Sequence, residues 1–121
     1  MLSLKFKEEV LEIEKSDGTP ATLVVREMNG RDREDHTNQL SRMGKVTPSG
    51  DYEIKNYQGL TTLLLLKCLY WRTENGDTKL TEKEIYEFPS TAINELNAIA
   101  NKVNGMTKKA LAAAEEEAEK N

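Results

Sequence analysis

The sequence predicts a mainly α protein with an N-terminal β-hairpin (α+β), a small helical domain around a central apolar helix. Three observations lead there. Residues 59–71, "GLTTLLLLKCLYW", gather much of the apolar surface of an otherwise hydrophilic chain. Two period-2 segments flank an Asp-Gly dipeptide before residue 29. Capping signals at Thr81 and at Ser90 or Thr91 open two further helices.

At 121 residues the chain fits one domain, and a core of that size is feasible without metal or disulfide support. Hydrophobic residues make up 37% and charged residues 31%, so burial must be concentrated in a few segments. The net charge is −4, with 17 basic residues interleaved among 21 acidic ones. No basic stripe stands out that would neutralise phosphates, which argues against nucleic acid as a partner. Cys68 is the only cysteine, so no internal disulfide can form, and a reducing cytosol is expected. The opening "MLSLKFKEEVLEIEK" alternates apolar and charged residues and lacks the apolar core of a signal peptide.

In the hairpin, residues 10–14 "VLEIE" and 22–28 "TLVVREM" are strands joined by "KSDGTPA". Asp17-Gly18 supplies the turn and Pro20 is tolerable at a strand start. Leu11, Ile13, Leu23 and Val25 are expected to face inward, as a lid on a helical core. A surface helix follows, with Asn29 as N-cap, Asp32 and Glu34 near the positive end of the helix dipole, and Gly44 as its stop. His36, Leu40 and Met43 form its short apolar stripe. Residues 45–53, with Pro48 and Gly50, read as a loop.

The apolar run is then expected in a helix over about residues 54–72. It is too short for a membrane span, which needs roughly 20 apolar residues, and Lys67 interrupts it. At 100° per residue, Leu60, Leu64, Cys68 and Trp71 fall on one side, and Leu65, Leu66, Leu69 and Tyr70 on the other. A strip through Asn56, Lys67 and Glu74 is polar. The hairpin and the last helix can cover the first side. The face of Leu65, Leu66, Leu69 and Tyr70 exceeds what the short helix with Ile85, Tyr86 and Phe88 can hide, so it is the candidate face for self-association or a partner.

After a turn at "TENGD", Thr81 and Glu84 form a capping box that starts a short helix, and Pro89 stops it. The last helix of the core presents Ala92, Leu96, Ile99 or Ala100, and Val103 on one face and closes at Asn104-Gly105. Residues 107–121 are rich in Ala, Glu and Lys, with lysines first and glutamates last. That order opposes the helix dipole at both ends, so a frayed tail beyond a single domain of residues 1–106 is expected.

Catalytic chemistry finds little footing. His36 is the only histidine, no serine sits in a glycine-flanked elbow, and Cys68 lies in the apolar run where a packed thiol is the expected state. Asp32, Asp35 and His36 in "DREDH" could make a weak divalent site, but acids favoured by a helix start explain the same pattern. Residues 71–82, "WRTENGDTKLTE", place Gly and Glu where a calcium loop has them. Trp71 and Thr73 stand where it needs oxygen ligands, so the segment reads as a helix–turn–helix connection. The expectation is no enzyme, no metal and no cofactor.

The order of these elements carries a resemblance. "DGTPATLVVREMNGRDRE", a central apolar helix, "NGDTKLTEKEIYEFPS" and "LNAIANKVNG" resemble the tail assembly chaperones of long-tailed bacteriophages, specifically the shorter product of the frameshifted pair. The matching features are Arg26-Glu27 leading into a helix, Thr81 and Glu84 at a helix start, Phe88-Pro89 as a break, and Asn104-Gly105 as the final stop. The similarity covers residues 10–106 and not the tail.

The resemblance implies a non-catalytic assembly factor of the host cytoplasm, absent from the mature virion. It would bind the tape measure protein, keep it soluble, and recruit tail tube subunits through a longer product of ribosomal frameshifting. Self-association is expected, and neither a membrane nor nucleic acid is a partner. The competing reading is a small structural protein of the virion neck or tail.

Overall fold

Two tight reversals build the sheet of the computed structural model, which describes residues 1–42, 44–46, 48, 52–54 and 62–106. The first joins β1 (Glu8–Glu14) to β2 (Pro20–Arg26). Asp17 Oδ1 accepts from the Thr19 backbone N–H at 3.0 Å and its hydroxyl at 2.7 Å, and Gly18 takes φ 86°. An aspartate that satisfies its own turn, followed by a residue free to adopt positive φ, is what this reversal requires. The second joins β5 (Leu69–Thr73) to β6 (Gly76–Lys79), with Thr73 opposite Gly76 and the glycine at φ 107°.

The sheet is antiparallel throughout, in the order β1-β2-β5-β6, so the middle strand pair comes from distant parts of the chain. Leu23 faces Trp71, and Val25 faces Leu69 across that central pairing. The side of the sheet carrying Leu23, Val25 and Leu69 packs with α2 (Leu65–Cys68), α3 (Glu82–Tyr86) and α4 (Ser90–Val103) into one core. Leu65, Cys68, Ile85, Leu96 and Ala100 complete it. The hairpin is therefore half of a four-stranded sheet, with Leu11 and Ile13 packed at the margin of that core.

Helix α1 (Gly30–Arg42) starts as its sequence requires: the Asn29 side chain accepts from the Asp32 N–H at 2.8 Å. His36 is its buried residue. Gly44 does not simply end that helix, because it opens β3 (Gly44–Val46), which pairs with β4 (Tyr52–Ile54) in a separate two-stranded ribbon. The expected loop thus contains a hairpin.

The central helix is the main correction. The expected helix of residues 54–72 does not form: residue 54 ends β4, α2 spans only Leu65–Cys68, and the chain is extended from Leu69. Residues 55–61, including Leu60, lie outside the described residues. The fold is accordingly α+β with a four-stranded sheet as one of its layers, rather than a mainly helical domain.

Backbone hydrogen bonding explains the switch. β2 lies inside the protein with Leu23, Val24 and Val25 all buried, so its N–H and C=O groups need partners on both edges. Residues 69–72 supply the second edge. Their alternation suits it, with Leu69 and Trp71 toward the core side and Tyr70 and Arg72 on the other.

The remaining helices follow their local signals closely. Thr81 and Glu84 form a reciprocal capping box. Pro89 precedes α4, which begins at Ser90 without a side-chain cap, so neither Ser90 nor Thr91 caps it as expected. At the far end Met106 N–H reaches the Asn101 carbonyl at 2.7 Å, Gly105 N–H reaches that of Lys102 at 3.1 Å, and Gly105 has φ 67°. This is a Schellman ending, and the positive φ gives glycine its place there. The tail, residues 107–121, lies outside the described residues.

Candidate partner-binding groove

The four residues expected to form a partner face do not share one. Leu65 and Leu69 are buried in the core at 0% and 1% exposure. Leu66 is half-buried against that core. Tyr70 lies on the opposite side of the sheet, with the Arg26 guanidinium 4.5 Å from its ring centre and Lys79 Nζ at 5.9 Å. The helical projection fails because the chain changes from helix to strand at Leu69, where side-chain direction alternates instead of rotating.

Cys68 is fully buried, and burial pushes its thiol up to about 11, which makes it a packed side chain rather than a nucleophile. Asp32, Asp35 and His36 do not converge: Asp35 is exposed, His36 is buried, and Asp32 Oδ2 lies 3.8 Å from Lys79 Nζ. Burial lowers the His36 pKa, with Arg33 and Lys67 acting in the same direction. Residues 71–82 are not a helix–turn–helix connection. They form most of β5, the turn, β6 and the entry to α3. Among the described residues there is no cluster of three or more His, Cys, Asp or Glu able to hold a metal ion.

A groove of about 580 Å³ opens where the edge strand β1 approaches α3 and α4. Leu11, Ile13, Trp71, Phe88, Leu96 and Ile99 give it an apolar lining. Trp71 and Phe88 meet edge to face, with ring centres 6.4 Å apart and planes at 75°. Local chemistry holds the indole in place: its Nε1–H donates to Glu84 Oε2 at 2.9 Å, and Lys15 Nζ lies 4.7 Å over the ring. The backbone N–H of Thr81, then Trp71, hold the Glu84 carboxyl below the usual carboxylate range. Ala92 is the smallest of the α4 side chains that line the groove, and among the described residues no strand lies beyond β1.

The groove is also acidic. Glu12, Glu14, Glu84, Glu87 and Glu95 line it, against a single lysine, Lys15. Among the described residues Glu14, Glu87 and Glu95 form no salt bridge. Sequence reasoning identified Leu11, Ile13, Leu96 and Ile99 as core-facing but not the space between them. The available signal was Ala92 in a helix face opposite a two-stranded apolar edge, which leaves volume unfilled.

The other side of the sheet carries a set of ion pairs. Arg26 Nε lies 3.1 Å from Glu8 Oε2, and Arg72 Nη2 lies 3.1 Å from Glu8 Oε1. Both arginines also bond Asp77, Arg72 Nε at 2.9 Å. Four side chains from four strands thus make a ring of ion pairs. Val24, wholly buried and on this side by its register with Val10 and Tyr70, lies among them.

No family model, no curated protein and no solved structure matches this chain.

Proposed function

We propose that the protein is a tail assembly chaperone of a long-tailed bacteriophage, working in the host cytoplasm as a binding protein without catalytic chemistry. Its client is the tape measure protein, a long helix-rich chain whose apolar stripe aggregates unless covered. The observation that supports this reading is the acid-rimmed apolar groove. An amphipathic helix recognised in a groove offers apolar anchors at i, i+3 and i+4, and basic flanking residues would complement the glutamates. The groove volume falls within the roughly 300–1,000 Å³ of sites that enclose a ligand, enough for a few anchoring side chains at a time. Several copies along the client would cover it. A longer frameshifted product would add the segment that recruits tail tube subunits.

Coexpression with the tape measure protein encoded beside this gene is the test. Soluble tape measure protein should appear only with this chain present and should be lost with Ile99→Glu, a change to a half-buried groove residue. An insoluble client in both cases overturns the proposal. Recovery of the protein in stoichiometric amounts from purified particles would instead make it a structural virion component.

A further inference from the structure

The segment before β1 is the most exposed apolar part of the described chain. Leu2 is 87% exposed, Leu4 90% and Phe6 51%. They alternate with Ser3, Lys5 and Lys7. The chain bends at Lys5, whose N–H donates to Ser3 Oγ at 3.2 Å. Drawn out straight, it would set three large apolar side chains on one side and the two lysines on the other. Apolar residues exposed in series mark a contact surface. The acidic groove has the complementary character, apolar below and carboxylate-rimmed above.

The arm does not occupy its own groove. Lys7 continues the β1–β2 ladder: its carbonyl accepts the Glu27 N–H at 2.9 Å, and its N–H donates to Glu27 Oε1 at 2.7 Å. The arm therefore leaves the Glu8 end of β1, while the groove is lined by residues 11–16 at the other end. Entering it in cis would require the chain to reverse beside this anchored residue.

We propose that residues 1–6 of one copy dock in the groove of a second copy, with Leu2, Leu4 and Phe6 against Leu11, Trp71 and Ile99 and Lys5 toward the glutamate rim. The second copy is favoured over a foreign chain because the arm supplies both the apolar face and the opposite charge that the groove lacks. This inference shares the groove with the proposed function but does not depend on the tape measure protein. If both hold, the client displaces the arms.

Mass in solution and Trp71 emission test it together, since Trp71 is the only tryptophan. The full chain should form a dimer or larger assembly that weakens with salt. A chain lacking residues 1–6, and the triple variant Leu2→Glu, Leu4→Glu and Phe6→Glu, should be monomeric with unchanged helicity. A peptide of residues 1–7 should shift Trp71 emission in the shortened chain, and Ala92→Trp, which fills the groove, should abolish association while keeping the fold. A monomeric full chain overturns the proposal, as does an assembly that survives loss of the arm or a peptide without effect on Trp71. Loss of client binding with arm exchange intact would instead strike only the chaperone reading.

Discussion

The side-chain carbonyl of Asn104 accepts the backbone N–H of Met28 at 2.8 Å, joining the end of α4 to the exit of β2 across 76 positions. The same side chain donates Nδ2–H to the Ala100 carbonyl at 2.7 Å and approaches Cys68 Sγ at 3.4 Å. Arg33 Nη1 donates to its backbone carbonyl at 3.1 Å. A residue that looks like a helix stop in the sequence thus ties the end of α4 to three other elements, β2, α2 and α1. Asn104→Ala leaves the N–H of buried Met28 without its partner, which costs about 1–3 kcal/mol. Chemical denaturation should show that loss, and hydrogen exchange at the Met28 amide should accelerate beyond the global change. Unchanged exchange at Met28 would refute the tie.

Glu84 serves two structures with one carboxylate. Oε1 accepts from the Thr81 N–H and hydroxyl, both at 3.0 Å, while Oε2 accepts the Trp71 indole at 2.9 Å. Glu84→Ala should cost about 1–2 kcal/mol through the lost cap and release the indole N–H. Glu84→Gln retains one oxygen acceptor and should fall between that variant and the wild type. The indole proton resonance reports the bond directly, and a resonance unmoved by Glu84→Ala would contradict it.

Cys68 makes stability fall on the alkaline side. Its thiol ordinarily titrates near 9 and is pushed up to about 11 in the folded protein by burial. A raised folded pKa means that the folded state holds the proton longer. The contribution is whole below pH 9 and is lost as pH rises toward 11. Two pKa units correspond to about 2–3 kcal/mol. Cys68→Ala should flatten this part of the pH profile, and the native thiol should resist alkylation until the protein unfolds. Rapid native alkylation would show that the site is open.

Asp77 acts at the opposite extreme. Its hydrogen bonds with Arg72, then Arg26, hold the carboxyl down to about 2 from an ordinary 3.8. A depressed folded pKa contributes stability that is present above 3.8 and lost as pH falls through 2. Because the ring of ion pairs is solvent-accessible, added salt should weaken it. Asp77→Asn, which mimics the protonated acid, should lower stability modestly at neutral pH, by an amount that shrinks as pH falls toward 2. Acid denaturation of Asp77→Asn that tracks the wild type at every pH would remove this role.

Local chemistry was legible in the sequence wherever one short stretch satisfies itself. Asp17-Gly18 makes its own turn, Asn29 caps α1, Thr81 and Glu84 cap each other, and Asn104-Gly105 ends α4. Each requires only neighbours within a few residues, so no distant contact overrides it. The inward set Leu11, Ile13, Leu23 and Val25 was legible too, because alternation in a hairpin leaves one face to the core.

Tertiary structure decided the fate of "LLLLKCLYW" and, with it, the layer architecture. Helical and extended placements both bury Leu65, Cys68 and Leu69, so apolar periodicity alone could not choose between them. The choice came from β2, a buried strand whose second edge needed hydrogen-bond partners from a segment more than 40 residues away. The Asn75-Gly76 turn and the Tyr70-Trp71 pair were the local signs of that strand, outweighed in the sequence by four consecutive leucines. The groove came from the same assembly. Its walls belong to β1, α3 and α4, and only their packing shows that Ala92 leaves the space between them unfilled.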